Sequence, residues 1–186
     1  MENVYCDFYE RTHKITEVRE RFKILISEEA IVSVAGRVIL KRKMGKMMFF
    51  NIADSEGSIQ IFADVAGLGK DQFKMLSNEM KVGFIVGASG KLFFTKTGEK
   101  TINADSLKIL TSAQKPLPEK FHGLNDVETR YRQRYLDLIA NSETRDVFRK
   151  RSQIVKFVRQ FLESHNFCEV ETPIFQRNPC GASANP

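Results

Sequence analysis

From Ala30 to Leu110 the apolar residues recur at every second position, and beyond Leu124 they recur at helical spacing. A chain whose hydrophobic period changes in this way divides into a β part and an α part. Within the β part the alternation is strict. KMMFFNIAD sets Met48, Phe50 and Ile52 on one face and Met47, Phe49 and Asn51 on the other. SIQIFAD sets Ile59 and Ile61 against Gln60 and Phe62, and the intervening DSEG, residues 54–57, is a hairpin turn. Before them AIVSVAGRVIL puts Val32, Val34, Val38 and Leu40 on one face, with Gly36 as an expected bend or bulge. After them KDQFKMLSNEM, residues 70–80, reads as a helix. Two more strands, VGFIVGASGKLFFT and EKTINADSLKIL, follow and are joined by a turn around Thr97 and Gly98.

Three strands, a helix and two strands, with glycines at the bends, fit a five-stranded Greek-key β-barrel of the OB-fold type. Another small barrel or an open sheet also fits that order. Ahead of the barrel, residues 16–27 read as a short amphipathic helix. Behind it SAQKPLPEKFHG carries Pro116 and Pro118 and marks the domain boundary. The expected organisation is a helical segment over 1–29, the barrel over 30–114, a linker over 115–124 and a second domain from 125 to 186. In that second domain Asn125 and Asp126 cap a helix to about Ala140, and a longer helix runs from Ser142 to about His165, with Asn166 at the left-handed position that ends it. FCEVETPIF, residues 167–175, reads as a strand interrupted by Pro173.

Composition removes several function classes. Three cysteines, Cys6, Cys168 and Cys180, lie far apart and are odd in number, which argues against a disulfide framework and for a reducing compartment. No CxxC or HxxxH spacing suggests structural zinc. The N-terminal stretch MENVYCDFYERTH has no apolar core of a signal peptide, and no apolar run reaches membrane-spanning length. The expectation is a cytoplasmic, soluble chain with no membrane partner. The net charge is +6, and residues 130–160 hold nine Lys/Arg against three Asp/Glu, so the remainder of the chain is balanced. Nucleic-acid binding by the barrel therefore has to rest on local residues.

Those residues are present. Phe49 and Gln60 point outward on adjacent strands, where a ring stacks a base and an amide reads its edge. KRKMGK, residues 41–46, adds four cations for phosphates. The alternative is that Phe49 packs beneath a helix or a neighbouring domain and KRKMGK is a solvated turn. RYRQRYLDLI, residues 130–139, is either a strand with a ribbon of arginines or a helix with Tyr131, Tyr135 and Leu138 on one face. Glu169 and Glu171 share a strand face, and an ion-paired edge is favoured over acid–base work. His165 is expected to serve as a charge partner at a helix end.

Several segments, in order, carry a family resemblance: VAGR, MGK, GSIQIF, GKLFFTKTGE, PLPEKFHGL, RYRQRYLDLI, VETPIF and GASANP. From about Arg11 to Pro186 the chain resembles class II lysyl-tRNA synthetases. The resemblance implies an anticodon-binding OB domain followed by the first α/β elements of a catalytic domain of the α+β class, built on an antiparallel sheet. FCEVETPIF is similar to motif 1 of that class, which implies that Phe167, Val170 and Pro173 lie at a homodimer interface. The family usually has Gly where this chain has Asn166. Anticodon contacts carry over to Arg42, Phe49 and Gln60. A further anticodon glutamate of the family is matched by Ser106, beside Asp105. Cys180-Gly181 stands where relatives have a glycine pair near the bound lysine, so only Gly181 carries over. The resemblance implies tRNA(Lys) as partner, and ATP with Mg2+ as cofactors of a full-length lysine–tRNA ligase. Motifs 2 and 3 of the class are not found here, so the chain alone is expected to be inactive in lysine activation. The alternative is a free-standing OB-fold tRNA-binding module without catalysis. On the resemblance, RYRQRYLDLI is a helix that docks one domain on another through its tyrosines and leucines.

Overall fold

The computed structural model describes Cys6, residues 8–117 and residues 124–175. The chain forms two compact units that divide between Leu117 and Pro118.

The first unit opens with α1 (Ile15–Glu20) and α2 (Phe22–Ser27), two helices where the periodicity predicts one. The apolar stripe runs through the break at Arg21: Ile15, Val18, Phe22 and Leu25 are all buried. The start of α1 is tied to the hairpin turn, because Asp54 Oδ2 accepts from the Ile15 amide at 3.1 Å. Asp54 Oδ1 accepts from the amides of Glu56 and Gly57, both at 2.8 Å, so one side chain closes the DSEG turn and anchors the helix.

Five strands follow: β1 (Ile31–Met44), β2 (Met47–Ala53), β3 (Ser58–Asp64), β4 (Ile85–Phe94) and β5 (Lys100–Thr111). They close into a barrel in the order β1-β2-β3-β5-β4, as the strand pattern predicts. β3 and β5 pair in parallel and the other neighbours are antiparallel. Between β3 and β4 stand a short helix the sequence did not reveal, α3 (Val65–Leu68), and the expected α4 (Lys70–Glu79). The inward residues are those of the alternation: Val32, Val34 and Val38, then Met48, Phe50 and Ile52, then Ile59 and Ile61. Ile102, Ala104 and Leu107 complete the layer, and α4 adds Phe73 and Leu76. Each fully buried side chain of this size stabilises by about 1.5–3 kcal/mol, so the barrel carries its own core.

Two expectations for β1 are corrected. Gly36 makes no bulge. It pairs regularly with Val86, and glycine is needed because a Cβ there would lie 2.8 Å from the Ala53 carbonyl oxygen. The bulge falls between Val38 and Leu40. The extra residue reverses the alternation, so Leu40 leaves the core face and is only half-buried.

The second unit is helical throughout its described residues: α5 (Val127–Arg132), α6 (Arg134–Ala140) and α7 (Ser142–Ser164). Asp126 caps α5 as expected, accepting from the Thr129 amide at 2.8 Å. The single helix expected up to Ala140 is instead broken at Gln133. RYRQRYLDLI is therefore helical and not a ribbon. Arg130 Nε donates to the Asp137 carboxylate at 3.0 Å, and Arg134 also pairs with it. Asn141 Nδ2 donates to the same carboxylate at 2.6 Å and Thr144 Oγ1 at 3.2 Å. Tyr131 and Tyr135, expected to dock, are exposed within their own unit. Asn166 takes the predicted left-handed conformation, φ 65°, and the His165 ring hydrogen-bonds the Phe161 carbonyl at 2.8 Å.

Residues 167–175 form no strand. A strand needs a partner ladder, and among the described residues of this unit there is none. Phe167, Val170 and Pro173 are exposed, and Glu169 pairs with Arg159 at 2.9 Å. The antiparallel sheet expected for this unit is correspondingly not seen among its described residues. Gly181 lies outside them. No described helix is long and apolar enough to cross a membrane.

Candidate nucleic-acid interface

The bulge in β1 decides what faces outward beside β2 and β3. After it, Leu40 pairs with Asn51, which pairs with Gln60; Arg42 pairs with Phe49, which pairs with Phe62. Directly paired residues share a face, so these six side chains form two outward rows. Phe49 and Gln60 are diagonal neighbours rather than opposite one another, which leaves a gap between ring and amide.

That gap is part of a cleft of about 590 Å³. Arg42, Phe49, Asn51, Gln60 and Glu99 bring its chemistry, and Leu40 and Met44 bring apolar wall. The three residues singled out in the sequence, Arg42, Phe49 and Gln60, are thus brought together. Phe49 is half-buried and open to the cleft. It leans on Phe62, whose ring centroid is 4.9 Å away, and Phe62 in turn meets Phe93 edge-on at 6.0 Å. A ring braced on one side and open on the other is a stacking surface with little freedom to lose.

Gln60 is oriented from behind. Thr101, fully buried on β5, donates its hydroxyl to Gln60 Oε1 at 2.8 Å and also to the Glu99 carbonyl at 3.2 Å. Among the described residues Gln60 Nε2 has no partner, so its two N–H groups remain for a ligand. Glu99 is supplied by the β4–β5 turn. Gly98 there adopts φ 81°, a conformation glycine tolerates without strain. The Glu99 amide donates to Thr95 Oγ1 at 3.0 Å, and the Thr95 amide donates to the Glu99 carbonyl at 3.1 Å.

The four cations of KRKMGK do not act together. Arg42 enters the cleft. Lys41 turns away and donates to the Ser77 carbonyl at 2.7 Å near the end of α4; its burial, with Lys43 adding repulsion, holds its ammonium below the usual lysine range. Lys43 donates to Asn78 Oδ1 at 3.1 Å. Sequence reasoning missed Glu99, Asn51 and Thr101. It found the turn around Thr97 and Gly98 but could not place it beside β1 and β2. Ser106 is exposed, pairs with Ser89 and does not line the cleft; the carboxylate there is Glu99.

The arrangement combines a braced ring, N–H donors from Arg42, Asn51 and Gln60, and one carboxylate acceptor. It suits a planar heterocycle with both donors and acceptors on its edge.

Comparison with known proteins bears on what that heterocycle belongs to. Residues 32–110 match the family model of the OB-fold nucleic acid binding domain, tRNA anti-codon type, and residues 126–186 match that of the class II tRNA synthetases (D, K and N). The chain is similar to the lysine–tRNA ligase of Thioalkalivibrio sulfidiphilus, 53% identical over 155 residues, which are 83% of this chain and 31% of that protein. It is 46% identical over 185 residues to the enzyme of Methanoculleus marisnigri, covering 98% of this chain and 36% of that protein. The corresponding figures for the enzyme of Bacillus subtilis are 44% over 183 residues, 96% and 36%. The chain therefore spans about a third of the length of these relatives. With a barrel matched by the anticodon-domain model and a helical unit matched by the synthetase model, in that order along one sequence, the chain belongs to the family of class II lysyl-tRNA synthetases.

Proposed function

We propose that the barrel binds the anticodon of tRNA(Lys) and reads its central uridine, as the anticodon-binding part of an enzyme that uses ATP to attach lysine to tRNA. The observation that carries this reading is the cleft in which Phe49, Gln60, Arg42 and Glu99 converge. Uracil presents an N3–H donor between two carbonyl acceptors. A carboxylate flanked by N–H donors matches that order, whereas cytosine presents an acceptor at N3. Phe49 stacks on the base, Gln60 Nε2 donates to a uracil carbonyl, Glu99 accepts from N3–H, and Arg42 donates to a second carbonyl or to phosphate.

ATP and Mg2+ belong to the reaction of the whole ligase. The described residues do not fit them: no group of three or more His, Cys, Asp or Glu side chains could hold a metal ion. No catalytic step is assigned to these residues. Gly181 is proposed as part of the lysine site by family correspondence alone. Phe167, Val170 and Pro173, with the exposed apolar positions of α7 such as Phe157 and Phe161, are proposed as surface that a homodimer of the whole enzyme covers.

The test is a titration of wild type, Phe49→Ala and Gln60→Ala against anticodon stem-loops carrying uridine or cytidine at the centre. Phe49→Ala weakens both alike by about 1–3 kcal/mol, because stacking tolerates any base. Gln60→Ala narrows the preference for uridine more than it weakens binding overall. Equal wild-type affinity for the two stem-loops would sink the base-reading claim.

A further inference from the structure

The β1–β2 hairpin has a second side. Consecutive strand residues point to opposite faces: Arg42 and Met44 line the base-reading cleft, while Lys43 and Gly45 line a separate groove of about 520 Å³ between the hairpin tip and α4. Lys43, Lys46, Lys70 and Lys74 converge on this groove over a floor that includes buried Phe73, and none of its lining residues is acidic. None of the four takes part in an ion pair among the described residues. Lys43 is held by a neutral partner, the Asn78 amide oxygen. α4 begins at Lys70 without a side-chain cap, so the positive end of its dipole adds to the same potential. Solvated surface lysines are ordinarily interspersed with carboxylates. Four unpaired ammonium groups around one groove repel each other until an anion occupies it.

We infer that this lysine groove holds the sugar–phosphate backbone of the same RNA whose bases enter the cleft, so that the hairpin tip is gripped from both sides. The division of labour follows from the charges. The cleft holds one arginine and one glutamate and is balanced, as base reading requires; the groove is cationic and lacks an exposed aromatic, as backbone binding requires. Lysine presents a mobile point charge rather than a fixed fork, which fits a backbone bound without sequence preference. The inference rests on the reading of the cleft as an RNA site.

The experiment measures binding of a lysine anticodon stem-loop to the full chain over a series of KCl concentrations. K70A/K74A is compared with wild type, with K70R/K74R, and with K23A/K108A, which removes two exposed lysines that do not line the groove. Each lost contact with a single-stranded phosphate flattens the log–log salt dependence by about 0.7. The K70A/K74A slope is therefore expected to fall by about 1, with roughly tenfold weaker binding near 100 mM salt. K70R/K74R keeps the wild-type slope, and the preference for uridine over cytidine is unchanged in every variant. An unchanged slope in K70A/K74A, or an equal flattening in K23A/K108A, overturns the groove as a backbone site. Loss of the uridine preference in K70A/K74A overturns it too, by placing those lysines at the bases. If wild type itself shows no uridine preference, the base-reading proposal fails while the slopes still decide the groove.

Discussion

Thr101 Oγ1 donates a hydrogen bond to Gln60 Oε1 at 2.8 Å across the parallel pairing of β3 and β5. The hydroxyl belongs to a buried residue, so the bond is shielded from water and fixes which end of the amide meets a ligand. Thr101→Val keeps the volume and removes the bond. We expect a stability loss of only about 1 kcal/mol, together with a reduced preference for uridine, because the Gln60 amide is free to turn. Urea unfolding and stem-loop titration check the two parts. An undiminished preference would show that Gln60 is oriented by the RNA rather than by Thr101.

Gly90 sits at a register slip between β4 and β5, where an added Cβ would lie 1.8 Å from the Asn103 carbonyl oxygen. The obstructing atoms are backbone in a neighbouring strand and cannot rotate aside. Gly90→Ala is expected to cost about 3 kcal/mol or more. Gly45, at φ 59° with nothing within 4 Å of a Cβ, gives the contrast: Gly45→Ala costs about 1 kcal/mol through backbone strain alone. Comparable denaturant midpoints for the two variants would contradict the assignment of the steric role to Gly90.

Asp137 organises the helical unit. Burial works against its charged form, but hydrogen bonds from Asn141, Arg130 and Thr144 outweigh that and hold the carboxyl below its ordinary value. Its cover is two arginines that are themselves 37% and 33% exposed, so it is shielded by side chains at the surface rather than sunk in a core. A depressed carboxyl pKa contributes stability that is fully present above the unfolded-state value, near 3.9, and is lost as the pH falls through the folded value. Protection of the amides of 127–164 from hydrogen exchange should therefore persist to mild acid and collapse below about pH 4. Asp137→Asn lowers that protection by about 1–3 kcal/mol at neutral pH and removes much of the acid transition. Superimposable acid profiles for the variant and wild type would rule out this role for Asp137.

The division between Leu117 and Pro118 implies that the barrel folds on its own core. Limited trypsin treatment should cut first at Lys115 or Lys120 and leave a product that keeps the barrel's β-type circular dichroism and its affinity for the stem-loop. A first cut within residues 31–110 would show that the barrel is the less stable unit.

The sequence by itself determined the barrel's strands, the outward placement of Phe49 and Gln60, the Asp126 cap and the left-handed end at Asn166. Each of these is set by residues close in the chain: a period of two, a carboxylate beside free amides, a residue type that tolerates positive φ. Tertiary structure decided the rest. Arg42 joins Phe49 and Gln60 only because a bulge after Val38 shifts the β1–β2 register, and a one-residue slip changes every face beyond it. Glu99 and Thr101 reach the cleft only because β5 runs parallel to β3, some 41 residues from Gln60 in the chain, a pairing that no local pattern encodes. The helix break at Gln133 lies within the segment gathered on Asp137. FCEVETPIF has the alternation of a strand yet is not one here, because alternation describes only which side a strand would bury, while the strand itself exists through hydrogen bonds to a partner that the described residues of this unit do not provide.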